Sequence, residues 1–281
     1  MQVKAFAKLN LTLDILRRRE DGYHDLQMVM QSIDLADELT ITPAEGVGAM
    51  STTLSYLPSD GRNLAQMAAE AFRNAAGRGG QLDISIVKRI PVCAGMAGGS
   101  SDAAAVLRAM NELTGAGYTP AELAKIGEAV GSDVPYCVVG GTALAEGRGE
   151  RLTALPPLPP CHVVVCKPPF PISTPQLFSR VDMRKIARRP DTEGILAALA
   201  AGDLTGVARR MYNVFEDVLE PRRQAEINAI KAALIDCGAL GAAMTGSGPT
   251  VFGLFDDPAA AESARDRLSG SYQDVFLCRT L

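Results

Sequence analysis

One segment of the chain concentrates residue types that can bind a charged ligand. It runs from Pro91 to Ser101, reads PVCAGMAGGSS and leads into an alanine-rich stretch. Its glycines, Gly95, Gly98 and Gly99, allow backbone conformations closed to other residues and let main-chain N–H groups approach a ligand. Because a glycine loop before a helix directs free N–H groups and the positive end of the helix dipole at an anion, we predict a phosphate-binding loop. The alternative interpretation is a tight turn that caps a helix.

The segment matches neither of two common nucleotide-binding motifs. No lysine follows the glycines as GxxxxGK[ST] requires, and the G-x-G-x-x-G spacing is missing. A phosphate loop without a lysine of its own needs a cation from another segment. Lys8, which shares the polar face of an alternating segment with Asn10, could supply that charge, and a solvated strand lysine is the alternative.

Two more short motifs carry candidate functional groups. Asp133 lies between Gly131 and Pro135 in GSDVP, where its carboxylate could act on a substrate or serve only in a turn. Residues 244–255, MTGSGPTVFGLF, contain a second glycine turn between two apolar segments, a pattern that also fits a plain β-hairpin.

Composition and charge exclude several classes of protein. With 28 Lys and Arg against 32 Asp and Glu, the net charge of −4 does not fit a nucleic-acid binder. The 6 cysteines form no CxxC and there are only 2 histidines, so neither a zinc site nor a disulfide framework is predicted. No signal-peptide core or membrane-spanning apolar run is visible. We therefore expect a cytoplasmic protein with neither a nucleic-acid nor a membrane partner.

Hydrophobic periodicity predicts a mixture of strands and helices. Alternating or short apolar segments predict strands at 3–16, 27–42, 82–90, 134–145, 162–166, 239–244, 250–255 and 273–279. Apolar stripes predict helices from Asn63 to Gly77, from the glycine segment to Leu113 with Gly115 as its stop, after Pro120, in STPQLF, over most of 192–237 and at 258–268. Residues 44–60 are expected to form a loop or an edge hairpin.

The order of these elements sets the fold class. It is not a simple β-α-β alternation, which favours an α+β fold over a doubly wound sheet. The proline-dense LPPLPP at 155–160 is unsuited to a helix or a central strand. We take it as the division between an N-terminal domain, 1–155, and a C-terminal domain, 156–281.

Taken in order, AKLNLTL, DGYH, PVCAGMAGGSSDAA, GSDVP and TGSGPTVF resemble the motifs of the GHMP kinase superfamily. The resemblance covers essentially the whole chain. It implies a two-lobed α+β fold with a ribosomal-protein-S5-like N-terminal half and a ferredoxin-like C-terminal half. The implied activity is phosphorylation of a small-molecule hydroxyl by ATP, with Mg²⁺ accompanying the nucleotide.

Three features narrow the implied acceptor: AKLN followed by DGYH, the GGSSD loop, and GSDVP. They resemble superfamily members that phosphorylate the 2-hydroxyl of a cytidine-diphosphate-linked methylerythritol in non-mevalonate isoprenoid biosynthesis. Another small-molecule kinase of the homoserine or mevalonate type is the first alternative. The second is a non-catalytic nucleotide-binding protein, against which the presence of both Lys8 and Asp133 argues.

The resemblance also implies roles for individual residues. Lys8 and Asp133 match the catalytic pair. The positions matching ATP contacts are Asn63, Leu64, Lys88, Pro91, Val92, Cys93, Ala94, Gly95, Met96, Ala97, Gly98, Gly99, Ser100 and Ser101, the last also a candidate Mg²⁺ ligand. The positions matching substrate contacts are Asn10, Tyr23, His24, Thr174 and Phe178, with Tyr23 and Phe178 expected to stack on the cytosine and His24 to bond its edge.

The sequence departs from the superfamily pattern in the loop and before the third segment. Met96 and Ala97 stand where Leu-Gly is commoner, and Cys93 stands where glycine is frequent. KPPFPIST replaces the more usual lead into the segment that holds Thr174 and Phe178. We expect the loop to close with an altered rim.

Overall fold

The computed structural model describes residues 1–183, 186 and 188–281 as a mixed α+β protein. The chain forms two compact units, each built from three segments that are not contiguous in the sequence. The first unit comprises residues 1–7, 35–90 and 97–140, and the second comprises residues 8–34, 91–96 and 141–281. Two long strands, β1 (Gln2–Arg18) and β2 (His24–Pro43), therefore contribute residues to both units. The division into 1–155 and 156–281 stays a prediction.

The first unit packs four helices with the end of β2 and two further strands. These elements are β3 (Met50–Thr52), α1 (Leu64–Ala76), β4 (Leu82–Val87), α2 (Gly98–Thr114), α3 (Pro120–Gly127) and α4 (Val134–Val139). β4 runs antiparallel to β2, with Glu38 opposite Val87, and β3 runs parallel to β4. Phe72 of α1 is fully buried in a core that the alanine-rich face of α2 shares.

Local signals explain the bounds of α1. The Asn63 side chain accepts a hydrogen bond from the Ala65 N–H, and Gly77 ends the helix in the left-handed conformation with φ of 60°. These are the two residues at which the sequence predicts the helix to begin and end, so that prediction is confirmed. Gly115 ends α2 in the same way, with φ of 57°.

The second unit contains the remaining elements. They are β5 (Thr142–Gly147), β6 (Arg151–Ala154), β7 (His162–Lys167), α5 (Thr174–Ser179), α6 (Thr192–Ala200), α7 (Leu204–Arg210), β8 (Tyr212–Asn213), a 3-10 helix (Val214–Val218), α8 (Pro221–Asp236), β9 (Gly241–Met244), β10 (Val251–Phe255), α9 (Pro258–Ser269) and β11 (Asp274–Arg279). β5 pairs antiparallel with the first part of β2 and with β6, while β8 runs parallel to β1. Four strands form a separate antiparallel sheet in the order β11-β7-β10-β9.

One predicted element is wrong. Residues 134–145 were expected to form a strand, but Val134–Val139 form α4 and the strand begins only at Thr142. A short apolar run has no period that distinguishes a buried strand from a buried helix. Pro135 in the first turn suits the helix, because the first turn needs no donor at that position. The 44–60 segment contributes the short parallel strand β3 rather than a hairpin.

None of the described helices is long and apolar enough to cross a membrane.

Candidate functional site

In the first unit, residues 97–101 form the N-terminal end of α2, with Ala97 just before the first helical residue. Ala97 precedes the helix in the left-handed conformation, with φ of 59°, and no described side chain caps this end. A Cβ added to Gly99 would lie 3.2 Å from Leu64, and one added to Gly98 would lie 3.5 Å from the Lys88 Nζ. The helix start is thus uncapped and lined by glycines, which suits an anion held by main-chain N–H groups.

The Ser101 hydroxyl is used within the protein. It donates to the Phe6 carbonyl at 2.6 Å and lies 3.3 Å from the Cys137 Sγ, and only 1% of the residue is exposed. These contacts do not fit a Mg²⁺ ligand. Among the described residues, no group of three or more His, Cys, Asp or Glu side chains could hold a metal ion.

Lys88 lies in a buried ion cluster with two carboxylates. Its Nζ contacts Asp37 Oδ2 and, at 2.6 Å, Asp102 Oδ2. Asp37 Oδ1 also accepts the N–H groups of Arg89 at 2.6 Å and Ile90 at 2.9 Å. We call Asp37, Lys88 and Asp102 the charged anchor, because together they tie the segment after β4 to the first turns of α2.

Burial shifts the pKa values of two members of the charged anchor, Asp102 and Lys88. It raises the pKa of Asp102 to about 7, an effect that the Lys88 charge opposes and the Asp37 charge reinforces. Burial alone would lower the pKa of Lys88, but the two carboxylates outweigh it and leave that pKa raised. Asp102 Oδ1 is buried with no hydrogen-bond partner among the described residues. The cluster therefore holds one carboxyl that titrates near neutral pH.

The other first-unit candidates have identifiable local positions. Asn63 caps α1 and its Nδ2 donates to the Pro58 carbonyl at 2.8 Å, while Leu64 packs against Gly99. Asp133 is half-buried at the start of α4, and its side chain does not cap that helix. The ATP contacts of Asn63, Leu64 and Lys88 and the catalytic role of Asp133 stay predictions.

In the second unit, Lys8 and Asn10 lie side by side in β1. The Lys8 Nζ donates to Asn10 Oδ1 at 2.6 Å, and the Lys8 N–H donates to the Met96 carbonyl at 3.2 Å. Both side chains are buried, with 4% of Lys8 and none of Asn10 exposed. The Asn10 N–H donates to the Thr245 Oγ1 at 3.0 Å. A predicted catalytic residue is thereby joined to residues 91–96 and to the second glycine motif.

That motif forms the glycine turn, residues 245–248, between β9 and β10. A Cβ on Gly95 would lie 2.3 Å from the Thr245 carbonyl oxygen, and one on Gly246 would lie 2.6 Å from the Gly95 carbonyl oxygen. The Thr174 and Ser247 hydroxyls hydrogen-bond at 2.7 Å. The glycine turn therefore contacts the loop at Gly95 and two predicted substrate residues, Asn10 and Thr174.

Aromatic rings line another part of the second unit. His24 stacks on Phe178 with ring centroids 4.9 Å apart and planes at 19°. Phe215 meets Phe178 edge-on, also at 4.9 Å. Burial and the nearby Arg18 charge lower the pKa of His24, which favours the neutral ring. Tyr23 is 56% exposed, beneath the Arg148 guanidinium, so a cytosine between Tyr23 and Phe178 stays a prediction.

The structure thus groups the predicted residues in two sets. The second unit brings Lys8, Asn10, residues 91–96 and Thr174 to the glycine turn, and the first unit brings Leu64, Lys88 and residues 97–101 to the start of α2. Asp133 and Lys8 belong to different units, so their pairing stays a prediction. Sequence reasoning missed Asp37, Thr245, Ser247 and Phe215. Only the TGSG motif gave a signal for any of them.

Comparison with known proteins identifies the family. The profile of the GHMP kinases N terminal domain matches residues 63–141, and that of the GHMP kinases C terminal domain matches residues 195–274. A 4-diphosphocytidyl-2-C-methyl-D-erythritol kinase of Clostridium kluyveri is 44% identical over 285 residues, covering 100% of both proteins. One of Exiguobacterium sibiricum is 45% identical over 280 residues, covering 99% of this chain and 97% of that protein.

Solved structures agree with this relationship. The crystal structure of a 4-(cytidine 5'-diphospho)-2C-methyl-D-erythritol kinase matches with a TM-score of 0.84 and 34% identity, over 100% of this chain and 99% of that one. A homoserine kinase from Cytophaga hutchinsonii matches with a TM-score of 0.75 at 21% identity, over 98% and 94% of the two chains, which is a likeness of fold alone. The chain therefore belongs to the GHMP kinase family of ATP-dependent small-molecule kinases.

Proposed function

We propose that this enzyme transfers the γ-phosphoryl group of ATP to the 2-hydroxyl of 4-diphosphocytidyl-2-C-methyl-D-erythritol. The observation that carries the proposal is the 44% identity to a kinase named for that substrate, extending over 100% of both chains. A homoserine kinase shares the fold at only 21% identity. The acceptor class therefore follows the full-length relatives, and a metabolic role of this kind fits a cytoplasmic enzyme.

The aromatic group around Phe178 supports recognition of a flat, uncharged base. His24 and Phe178 already stack with their ring planes nearly parallel, and Phe215 packs edge-on against Phe178. A neutral imidazole carries one donor and one acceptor, which suits the edge of a cytosine. We propose that this group, with Tyr23 and Thr174, binds the cytidine end of the acceptor, and that Asn10, hydrogen-bonded to Lys8, contacts the acceptor near the transferred group.

The chemistry requires positioning and charge stabilisation more than covalent participation. Residues 91–101 would hold the ATP phosphates through main-chain N–H groups. Lys8 would offset charge on the transferred phosphoryl group, since a fixed cation stabilises charge that develops in the transition state. Asp133 would accept a hydrogen bond from the 2-hydroxyl, orient its oxygen in line with the γ-phosphate and take the proton late.

Mg²⁺–ATP is the proposed form of the donor. Mg²⁺ keeps most of its water ligands and binds phosphate oxygens more than dedicated protein sites. The Ser101 hydroxyl is bonded to the Phe6 carbonyl, so it does not fit a metal ligand, and Mg²⁺ would be bound by the ATP phosphates.

An ADP-release assay with purified protein tests the acceptor. We expect turnover with the cytidylated methylerythritol, a new phosphomonoester signal in the product, and none with homoserine or mevalonate. Turnover with homoserine or mevalonate, and none with the cytidylated methylerythritol, would contradict the proposed acceptor. ATP binding without turnover on any of the three would favour the non-catalytic nucleotide-binding alternative.

Replacing Asp133 by Asn tests the proton acceptor. We expect kcat to fall by about 100-fold or more while ATP still binds, because general-base contributions are of that size. Asp60→Asn, which removes an exposed carboxylate paired with Arg62, is the control. A kcat of Asp133→Asn equal to that of the control would remove Asp133 from this role.

A further inference from the structure

Asn213 is a fully buried amide whose hydrogen bonds all go to main-chain groups. Its Nδ2 donates to the Met244 carbonyl and to the Gly246 carbonyl, both at 2.8 Å. Its Oδ1 accepts the Phe215 N–H at 3.0 Å. Because both nitrogen partners are carbonyl oxygens, the orientation of the amide is fixed. Only a side chain with two donors and one acceptor in this geometry satisfies all three main-chain groups.

The two donated bonds hold the end of β9 and the start of the glycine turn. Met244 is bound at both its peptide groups, since the Glu216 Oε1 accepts its N–H at 2.9 Å while Asn213 binds its carbonyl. Gly246, two residues further along, has φ of 55°. Glycine adopts this left-handed region about as readily as the others, so the bond from Asn213 to the Gly246 carbonyl selects one of several accessible conformations.

The glycine turn in turn limits Gly95. A Cβ on either Gly95 or Gly246 would approach a main-chain atom of the other segment to 2.6 Å or less. The two backbones are therefore in direct contact, and a shift of the turn must displace Gly95 or open a gap beside it. The Thr245 hydroxyl, 3.3 Å from the Gly95 carbonyl oxygen, adds a second contact.

The accepted bond acts in the other direction along the chain. Asn213 caps the 3-10 helix, which sets the position of Phe215, a residue only 2% exposed. Phe215 packs edge-on against Phe178, which stacks on His24. The Asn213 amide thus fixes both the glycine turn, which contacts Gly95, and Phe215, which packs against Phe178.

We propose that Asn213 is a positioning residue, which sets the glycine turn against Gly95 and Phe215 against Phe178 without contacting either substrate. The inference rests on the proposed function, because it takes residues 91–96 as part of the ATP site and Phe178 as part of the acceptor site. The chemistry at the transferred phosphoryl group is left to other residues.

Asn213→Asp tests the inference with almost no change of shape. The variant keeps the acceptor for the Phe215 N–H, but it places an oxygen against two carbonyl oxygens. We expect kcat/KM for ATP to fall by about 10- to 100-fold, the size expected for a misplacement of about 1 Å. Protonation returns one donor, so the ratio of variant to wild-type activity should rise as pH falls from about 8 to about 6.

A matched control separates positioning from a general loss of structure. The Asn111 side chain, on α2, binds the Tyr118 carbonyl and N–H, both at 2.9 Å, in the loop that follows this helix. Asn111→Asp should lower the thermal unfolding temperature but leave kcat/KM of the folded fraction within about two-fold of wild type. Asn213→Ser, which avoids the repulsion and supplies one hydroxyl donor, should fold and show a smaller loss than Asn213→Asp.

Binding of a non-hydrolysable ATP analogue distinguishes the possible failures. Wild-type protein that binds the analogue but does not phosphorylate the cytidylated acceptor would overturn the acceptor assignment alone. Wild-type protein that binds no analogue would overturn the phosphate-loop proposal and this inference with it. Asn213 variants with wild-type analogue affinity and kcat/KM, or Asn213→Asp losses that match Asn111→Asp and do not recover in acid, would overturn the positioning role.

Discussion

The two parts of the predicted phosphate loop are supported by different kinds of interaction. Behind residues 97–101, the charged anchor buries one ammonium between two carboxylates, with side chains 4% exposed or less. Beside residues 91–96, the contacts that reach the loop are neutral: Asn213 holds the glycine turn through two carbonyl groups, and the turn contacts Gly95 main chain to main chain.

The difference lies in what each kind of support costs and what it specifies. Buried charges carry a large desolvation penalty and are sensitive to pH, and removing one partner leaves the others uncompensated. Neutral hydrogen bonds to the main chain carry less energy each but fix the direction of a carbonyl. We therefore expect the charged anchor to govern stability and its pH dependence, and the neutral contacts to govern the position of Gly95.

Lys88→Met should give the largest effect on stability. It leaves Asp37 and Asp102 buried without a cation, for which a loss of about 3–5 kcal/mol in the free energy of unfolding is expected. Lys125→Met is the control, since the Lys125 side chain is 77% exposed and its pair with Glu128 is on the surface. Urea unfolding measures both variants. A Lys88→Met loss as small as that of Lys125→Met would mean that the charged anchor contributes no net stability.

Gly95→Ala should give the next largest effect. The added methyl group would meet the Thr245 carbonyl oxygen, and φ at Gly95 is 72°. Strain and overpacking together predict a loss of about 2–3 kcal/mol and a clear fall in ATP affinity. Gly115→Ala is the matched control, because Gly115 has φ of 57° with no atom within 4 Å of an added Cβ. Equal losses in the two variants would show that backbone contact with the turn adds nothing.

Sequence reasoning predicts the features of this fold that depend on local conformation. Helix α1 begins at Asn63 and ends at Gly77 because a capping side chain and a left-handed glycine act within a few residues. The α+β class and the membership in the GHMP kinase family were also predicted. Helix α4 was not, because the apolar run 134–139 carries no period and only its packing distinguishes helix from strand.

The supports of the loop lie beyond sequence reasoning for the same reason. The partners of Asn213 at Met244 and Gly246 are 31 and 33 residues away, and Asp37 lies 51 residues before Lys88. No spacing rule connects such positions, since register and packing decide which groups meet. The glycines of the loop were predictable because the need for an unusual backbone conformation is a property of each residue itself.

Asp102→Asn should change how stability depends on pH. Burial raises the pKa of Asp102 to about 7. A carboxyl whose pKa is higher in the folded state than in the unfolded state stabilises the fold at low pH, and this stabilisation is lost as pH rises through about 4 to about 7.

The wild-type protein should therefore lose stability relative to Asp102→Asn as pH rises over that interval. Urea unfolding at several pH values measures the difference. Asp60→Asn gives the opposite sign, because hydrogen bonds from Arg62 lower the pKa of Asp60 and its contribution is lost as pH falls. Parallel pH curves for wild type and Asp102→Asn would contradict the prediction.

The smallest expected effects compare the two parts of the loop directly. Each part contains one residue other than glycine with positive φ, Cys93 at 53° and Ala97 at 59°. A left-handed backbone costs such a residue roughly 1–2 kcal/mol, which a substitution by glycine would remove. The greater freedom of glycine in the unfolded chain offsets about half of that gain.

Cys93→Gly and Ala97→Gly should therefore each stabilise the protein by about 0.5–1 kcal/mol, read as a rise in the thermal unfolding temperature. Ala75→Gly, at an exposed position of α1, should destabilise it by a similar amount because helical backbone favours alanine. If only Ala97→Gly stabilises, the Cys93 side chain makes a compensating contact beside the neutral support. If neither variant is stabilised, the backbone strain at Cys93 and Ala97 is relieved in the folded protein. Neither support then holds its part of the loop rigidly in the left-handed conformation.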